Sequence, residues 1–320
     1  MTEISTNVES AVKFLNAGEL IAIPTETVYG LAANAFNEVS VKKIFKLKQR
    51  PVFNPLIVHI GSIEDLDKIA KNIPDVAWKL AQAFWPGPLT LLLEKKEVIP
   101  DLVTAGSERV AVRVPNHKLT LELLSKLTFP VAAPSANPFM SISPTKAKHV
   151  RDYFEGELKF ILEGGDCEKG IESTIIGFEE GDVVLYRTGS CAVLEIEKIA
   201  GKLILPTQKT QNPQAPGMLK RHYAPKTRFI VTANYKKEMQ KHVNKKIGVM
   251  LLNCDSIHSE NIFYKSLSEN EDLDEAAANL YTTLIELDAM QLDVIIASYV
   301  PNKGIGKSIN DRLQRAAALL

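Results

Sequence analysis

Val8, Val12 and Leu15 recur at helical spacing, and LIAIP follows them as a short apolar run that reads as a buried strand. Val41, Ile44, Phe45 and Lys48 mark a second helix. PLIVHI is then a strand, and PDVAWKLAQAF a further helix stopped by the breaker WPGP. LTLLLEK, VAVRVP, PVAAPS, KFILEGG, STIIGFE and VVLYRTG follow as strands, with helical stretches around KLTLELLSKL and TKAKHVRDYF. Strands linked by helices, followed by late strands close in sequence, predict a mixed, twisted, open α/β sheet over residues 1–205.

The pattern changes after Gly201. LPTQKTQNPQAPGMLKRHYAPKT carries four prolines and scarcely any apolar periodicity, so residues 206–228 read as an extended linker. RFIVTA, KIGVMLLN, the helical DEAAANLYTTLIELDAM, LDVIIASYV and a closing helix near DRLQRAAALL restore a β/α alternation. Residues 229–320 are enough for a small α/β domain of their own.

Composition narrows the classes. Hydrophobic residues at 45% and charged residues at 24% are those of an ordinary globular chain. The 38 Lys and Arg balance the 38 Asp and Glu, so any polyanion site must be a local gathering of cations. Cys167, Cys191 and Cys254 form no C-x-x-C pair, which argues against a disulfide framework or structural zinc and fits a reducing compartment. The polar N-terminus is unlike a signal peptide, and no apolar run approaches the roughly 20 residues that cross a bilayer. The expectation is a cytoplasmic protein with no membrane contact.

Several stretches could carry chemistry. PTETVYGL follows a buried strand, where ligands gather in open α/β sheets; it also reads as a plain polar turn between strand and helix. KLKQRP puts cations at a helix end, either for a phosphate or merely for the helix dipole. Ser135 and Asn137 in APSANPFMSISPT offer hydrogen-bonding groups stiffened by Pro134 and Pro138. Arg113 and Arg187 lie within or at the end of apolar strands, and a buried arginine left unpaired by the protein implies a bound anion. GGDCEKGIESTIIGF adds Ser173 and Thr174 at the start of another strand. His59 alone reads more readily as a satisfied core histidine than as a ligand contact. PNKGIGKSIN fails as a phosphate loop, because Pro301 stands where the leading glycine belongs.

Read in order, PTETVYGL, KQRPVFNPLIVH, WPGPLTLLL, VRVP, PSAN, EGG, ESTI, PGMLKRHYAP and DRLQRAA resemble the threonylcarbamoyl-AMP synthase family in its two-domain form. The resemblance implies a YrdC-like domain, a linker and a small Rossmann-like domain. Two departures, Thr188 where a proline commonly follows the strand arginine and Ala215 where a serine often precedes PGM, touch loop geometry rather than charge. The family pairs a K-x-R element with an S-x-N element, matched by Lys48, Arg50, Ser135 and Asn137 as the catalytic set. The same mapping puts L-threonine near Thr27, His59, Arg113, Ala133 and Ser173. It puts ATP near Arg50, Asn54, Arg109, Ser135, Ser143, Arg187 and Tyr223, with no metal-ligating side chains and Mg²⁺ entering with the nucleotide.

The implied reaction condenses L-threonine, bicarbonate and ATP to threonylcarbamoyl-adenylate with release of pyrophosphate. A separate transfer protein then uses the adenylate to modify tRNA. Two other classes fit the residues less fully: a module that grips tRNA or double-stranded RNA weakly, and a threonine or nucleotide sensor. Pro216, Gly217 and Pro225 around Arg221, His222 and Tyr223 are too specific for a passive spacer, which predicts a lid that brings Tyr223 to the nucleotide.

Overall fold

The computed structural model describes residues 2–206, 215–218, 220–254 and 260–318. Of the expected linker, 207–214 and Leu219 lie outside the described residues. The chain divides into two units: Met1–Phe139, Pro144–Glu168 and Glu172–Met218 make the first, and Met140–Ser143, Lys169–Ile171 and Leu219–Leu320 the second.

The first unit is built on one sheet of eleven strands: β1 (Glu3–Ser5), β2 (Ile21–Ile23), β3 (Gly30–Asn34), β4 (Ile57–His59), β5 (Ala70–Lys71), β6 (Leu89–Lys95), β7 (Arg109–Arg113), β8 (Val131–Ala132), β9 (Phe160–Leu162), β10 (Thr174–Glu179) and β11 (Asp182–Arg187). Their order is β1-β9-β2-β3-β8-β4-β7-β6-β10-β11, with β5 attached to β6. The sheet is mixed, as expected: β4 runs parallel to β7 and β6 to β10, while β8 is antiparallel to β4 and β6 to β7.

Side-chain alternation divides the sheet into two faces. Leu31, Ala33, Val58, Leu91, Leu93, Val110, Val112, Ala132 and Ile161 face a continuous core packed under helices such as Glu38–Lys48 and Asp75–Phe84. On the other face, Ile21, Ile23, Ala32, Val131, Phe160 and Leu162 are covered by helices Val8–Asn16 and Lys118–Ser125. The rest of that face carries a smaller cluster of Ile57, Leu92, Ala111, Ile175, Val184 and Tyr186, on which Ile204, Ala215 and Met218 pack. Helix cover therefore gives way to short irregular chain where β4, β7, β6 and β10 lie side by side.

Local chemistry sets the helix ends. Asn7 accepts from Ser10 N at 3.0 Å, and Asn37 from Val39 N and Ser40 N at 2.9 and 3.2 Å, satisfying donors a helix start leaves free. The helix Glu38–Lys48 stops at Gln49, whose φ of 53° and ψ of 38° form a left-handed cap, and Arg50 is kept out of helical geometry by Pro51.

Strand β3 was hidden in the sequence. GLAAN is buried on both faces and shows no alternation, so the polar turn is confined to the residues before it. The short edge strand β1 went unread as well.

In the second unit β12 (Phe229–Thr232), β13 (Ile247–Leu251), β14 (Ile262–Ser266) and β15 (Val294–Ser298) form a wholly parallel sheet in the order β12-β15-β13-β14. Strand β14 had no apolar pattern to reveal it, since all five residues are half-buried at the sheet edge. Gly306 begins the last helix where an added Cβ would lie 2.1 Å from the Pro301 carbonyl oxygen. Close packing accounts for that glycine without a phosphate.

Gly189 is equally constrained in the first unit. A Cβ there would lie 2.3 Å from the Ser173 carbonyl carbon and 2.4 Å from the Glu172 oxygen, both backbone atoms that cannot swing aside. Gly189→Ala is expected to destabilise the protein by about 1–3 kcal/mol, the usual cost of overpacking. A melting temperature equal to wild type would show that the two loops part without cost.

Candidate active site

The site is assembled where the helix cover ends. His59 and Arg113 close the parallel strands β4 and β7 as direct register partners, on the same face as Ile57 and Ala111. Ala133 follows β8 and donates its N–H to Ile57 O at 2.9 Å. Ser173 immediately precedes β10, and its hydroxyl lies 2.8 Å from that of Thr90 in β6. The PTETVYGL turn reaches the same place from β3: Arg113 Nη1 donates to Thr27 Oγ1 at 3.0 Å. Sequence positions from 27 to 173 thus converge on one row of strand ends.

The turn is held by its own hydroxyls. Thr25 Oγ1 accepts from Thr27 N and Val28 N at 3.1 and 3.2 Å and donates to Val28 O at 2.7 Å. This compact loop fixes Glu26 and Thr27 against Arg113.

Arg113 is 3% exposed, so its charge must be answered from within the protein or by a ligand. Nε donates to Gly87 O at 3.1 Å, and Nη2 lies 2.5 Å from Glu26 Oε2. That ionic contact is not aligned as a hydrogen bond. Among the described residues, Nη2 and both Glu26 oxygens are buried without a hydrogen-bond partner. Arg113 is thus answered in part by an internal carboxylate that the sequence did not single out.

His59 is held neutral. Burial first, then the Arg113 charge, brings its pKa down to about 3, against a weaker opposing hydrogen bond with Ile57. Its Nδ1 has no hydrogen-bond partner among the described residues. A neutral imidazole beside a guanidinium can donate or accept for a ligand hydroxyl without adding charge.

Lys48 takes a bracing position. It is buried, and Nζ donates to Ser135 O at 2.6 Å and to Asn137 O, tying the PSAN loop to the end of a helix. Burial, followed by the nearby Arg50 charge, pushes its pKa well below the ordinary lysine value. Arg50 donates from Nε to Asn54 O at 3.1 Å and from Nη2 to Pro55 O at 2.7 Å, while the Asn54 side-chain amide is buried without a partner. Asn137 Nδ2 donates to Pro138 O at 2.9 Å.

Arg187 binds the strand end from the other side. Nε and Nη2 donate to Ser173 O at 3.0 and 2.8 Å, Nη2 also to Ser173 Oγ at 3.0 Å, and Nη1 to Pro216 O at 3.1 Å. Arg109 sits at the opposite end of β7 from Arg113, roughly 13 Å away at strand rise, with Glu179 Oε1 and Tyr186 Oη each at 2.9 Å. Ser143 and Tyr223 belong to the second unit. Tyr223 is buried there, with Tyr281 stacked at 5.6 Å and the Arg312 guanidinium 4.9 Å from its ring.

Sequence reading therefore found Thr27, His59, Arg113, Ala133, Ser173 and Arg187, which the fold gathers, and missed Glu26 and Thr90. Thr90 was legible as the polar residue on one face of LTLLLEK. Glu26 carried no signal beyond its place in PTET. A separate hollow of about 330 Å³, lined by Phe36, Ile69, Leu124 and Phe129 among others, contains none of these residues.

Fold and site together define a mixed-sheet α/β protein in which buried arginines, a neutral imidazole and hydroxyls gather at one row of strand ends. Comparisons narrow this. Residues 13–189 match the Sua5/YciO/YrdC family described as "Telomere recombination", and residues 191–318 match the threonylcarbamoyl-AMP synthase C-terminal domain. The chain belongs to the threonylcarbamoyl-AMP synthase family. It is 41% identical to the threonylcarbamoyl-AMP synthase of Pyrococcus abyssi, over 96% of this chain and 93% of that one. It is 37% identical to that of Bacillus subtilis over 98% and 95%. The crystal structure of P. abyssi Sua5 complexed with L-threonine superposes with a TM-score of 0.90 at 40% identity, covering 99% of this chain and 98% of that one.

Because His59 has a folded pKa below its unfolded value of about 6.5, the unfolded chain takes up the proton first. Stability from this group is complete above that value and is lost as pH falls towards 3, at up to about 1.4 kcal/mol per pH unit. Thermal melts of wild type and His59→Gln from about pH 7 down to pH 4 should show a steeper loss in wild type. Parallel curves would mean that His59 is not held neutral.

Proposed function

We propose that this chain is an L-threonylcarbamoyladenylate synthase, a nucleotidyltransferase that condenses L-threonine, bicarbonate and ATP to threonylcarbamoyl-AMP and releases pyrophosphate. The observation that carries this reading is the buried row of Thr27, His59, Arg113 and Ser173, in a chain similar end to end to synthases of that name. Arg113 meets the amino-acid carboxylate, and the neutral His59 with the Thr27 and Ser173 hydroxyls recognises a side-chain hydroxyl. A carbamate formed on the amine is an oxygen nucleophile towards the α-phosphate. The protein's task is then alignment and charge stabilisation, and orientation alone can contribute roughly 7–11 kcal/mol.

Arg50, Arg109 and Arg187, with Asn54 and Ser135, are the proposed nucleotide contacts, and Ser143 and Tyr223 complete the set by resemblance. Among the described residues no three His, Cys, Asp or Glu side chains are grouped to hold a metal ion. Mg²⁺ is therefore proposed as part of the nucleotide, held by phosphate oxygens and water, a coordination that needs few protein ligands. The adenylate is consumed by a separate protein that transfers the threonylcarbamoyl group to tRNA. No helix among the described residues is long and apolar enough to cross a membrane.

Pyrophosphate release should require both L-threonine and bicarbonate. Serine, lacking one methyl, should be disfavoured by about 1–3 kcal/mol, and valine, which leaves the buried His59 Nδ1 without the hydroxyl partner proposed for it, far more strongly. Equal turnover of valine and threonine would refute threonine as the substrate. ATP-dependent pyrophosphate release without either co-substrate would point to a different adenylate.

Arg50→Ala should weaken ATP binding roughly ten- to hundredfold, the worth of a charge-assisted contact. It should also lower the melting temperature, since two hydrogen bonds to backbone carbonyls are lost. Calorimetric titration reading wild-type ATP affinity would remove Arg50 from the phosphate site.

A further inference from the structure

We infer that Glu26 is the group that receives the amino group of the substrate, so that Glu26 and Arg113 together form a template for an amino-acid zwitterion. The inference rests on the threonine reading given above and adds to it a residue that reading leaves unused.

Glu26 is 3% exposed, and among the described residues neither of its carboxylate oxygens has a hydrogen-bond donor. A buried carboxylate in that condition loses its hydration without replacement, a costly arrangement unless a ligand completes it. Among the described residues its ion-pair partner is Arg113 Nη2 at 2.5 Å, and that nitrogen also lacks a hydrogen-bond partner there. The other guanidinium nitrogens are already committed, Nε to Gly87 O and Nη1 to Thr27 Oγ1. The two unsatisfied groups therefore face each other, one cationic and one anionic, at the end of β7 where Thr27 and His59 also stand.

An α-amino acid at neutral pH carries both charges on one carbon. Entering between Nη2 and the carboxylate, its carboxylate would satisfy the guanidinium and its ammonium the Glu26 oxygens. One misaligned ion pair becomes two aligned ones, and the buried net charge stays at zero throughout. A lone arginine would hold the carboxylate equally well but would repel the ammonium beside it. Glu26 thus makes the site one for amino acids rather than for carboxylic acids in general. Its neighbour Cys167 is uncharged, its thiol pKa pushed up by burial, and supplies no alternative acceptor of comparable strength.

The test compares two ligands on full-length protein by calorimetric titration. L-Threonine carries the amino group; 3-hydroxybutyrate keeps the carboxylate and the hydroxyl but lacks it. Glu26→Gln should weaken L-threonine at least tenfold and leave 3-hydroxybutyrate within about twofold of wild type, or tighten it. Equal loss for both ligands, the mark of a merely structural role, overturns the inference, and so does unchanged threonine affinity. If Glu26→Gln does not fold, Glu26→Asp replaces it: the carboxylate is kept but withdrawn by one methylene, and the same selective loss is required. Failure of wild type to bind L-threonine at all would overturn the threonine reading, and the role of Glu26 with it.

Discussion

A guanidinium in the interior of a sheet has to be surrounded by oxygen, and in this protein that requirement organises the first unit. Arg113 ends a strand whose other face, through Val110 and Val112, belongs to the main core, so it cannot withdraw to solvent without breaking the sheet. The PTET turn, through Thr27 and the Glu26 carboxylate, and the Gly87 carbonyl come to it instead. These belong to segments far apart in sequence, brought together because the strand order places β8, β4, β7, β6 and β10 side by side. Desolvation of one charge thereby specifies long-range geometry.

The same economy appears at the neighbouring cations. Lys48 donates to two carbonyls of the PSAN loop, Arg50 to two in the loop that follows it, and Arg187 to Ser173 and Pro216. Each side chain turns irregular backbone into something nearly as fixed as a strand, because its donors point at oxygens that would otherwise need water. A site that works by alignment needs that rigidity in loops, where the functional groups emerge, more than in the strands beneath.

Much of this was legible beforehand, and the omissions have physical reasons. Many strands announced themselves as compact apolar runs, as in LTLLLEK and VVLYRTG, and helices by their spacing. GLAAN and IFYKS did not, because one is buried on both faces and the other is an edge strand half-buried throughout. Among site residues, the arginines in apolar strands stood out because charge in such a context is costly. Glu26 did not, because a carboxylate in a polar turn looks solvated until the fold shows it 3% exposed. The resemblance supplied Ala133 and Asn54, which neither periodicity nor charge would have singled out.

The short stretch from Ala215 to Met218 carries a consequence for the whole chain. Ala215 is fully buried against Ile57, Leu92, Ala111, Ile175, Val184 and Tyr186, and Arg187 grips the next residue by its carbonyl. Those side chains would otherwise form a contiguous greasy patch, the kind of surface that draws molecules to one another. Connecting chain thus doubles as protection against self-association. A shortened version of this protein would face a problem of solubility before it faced one of catalysis.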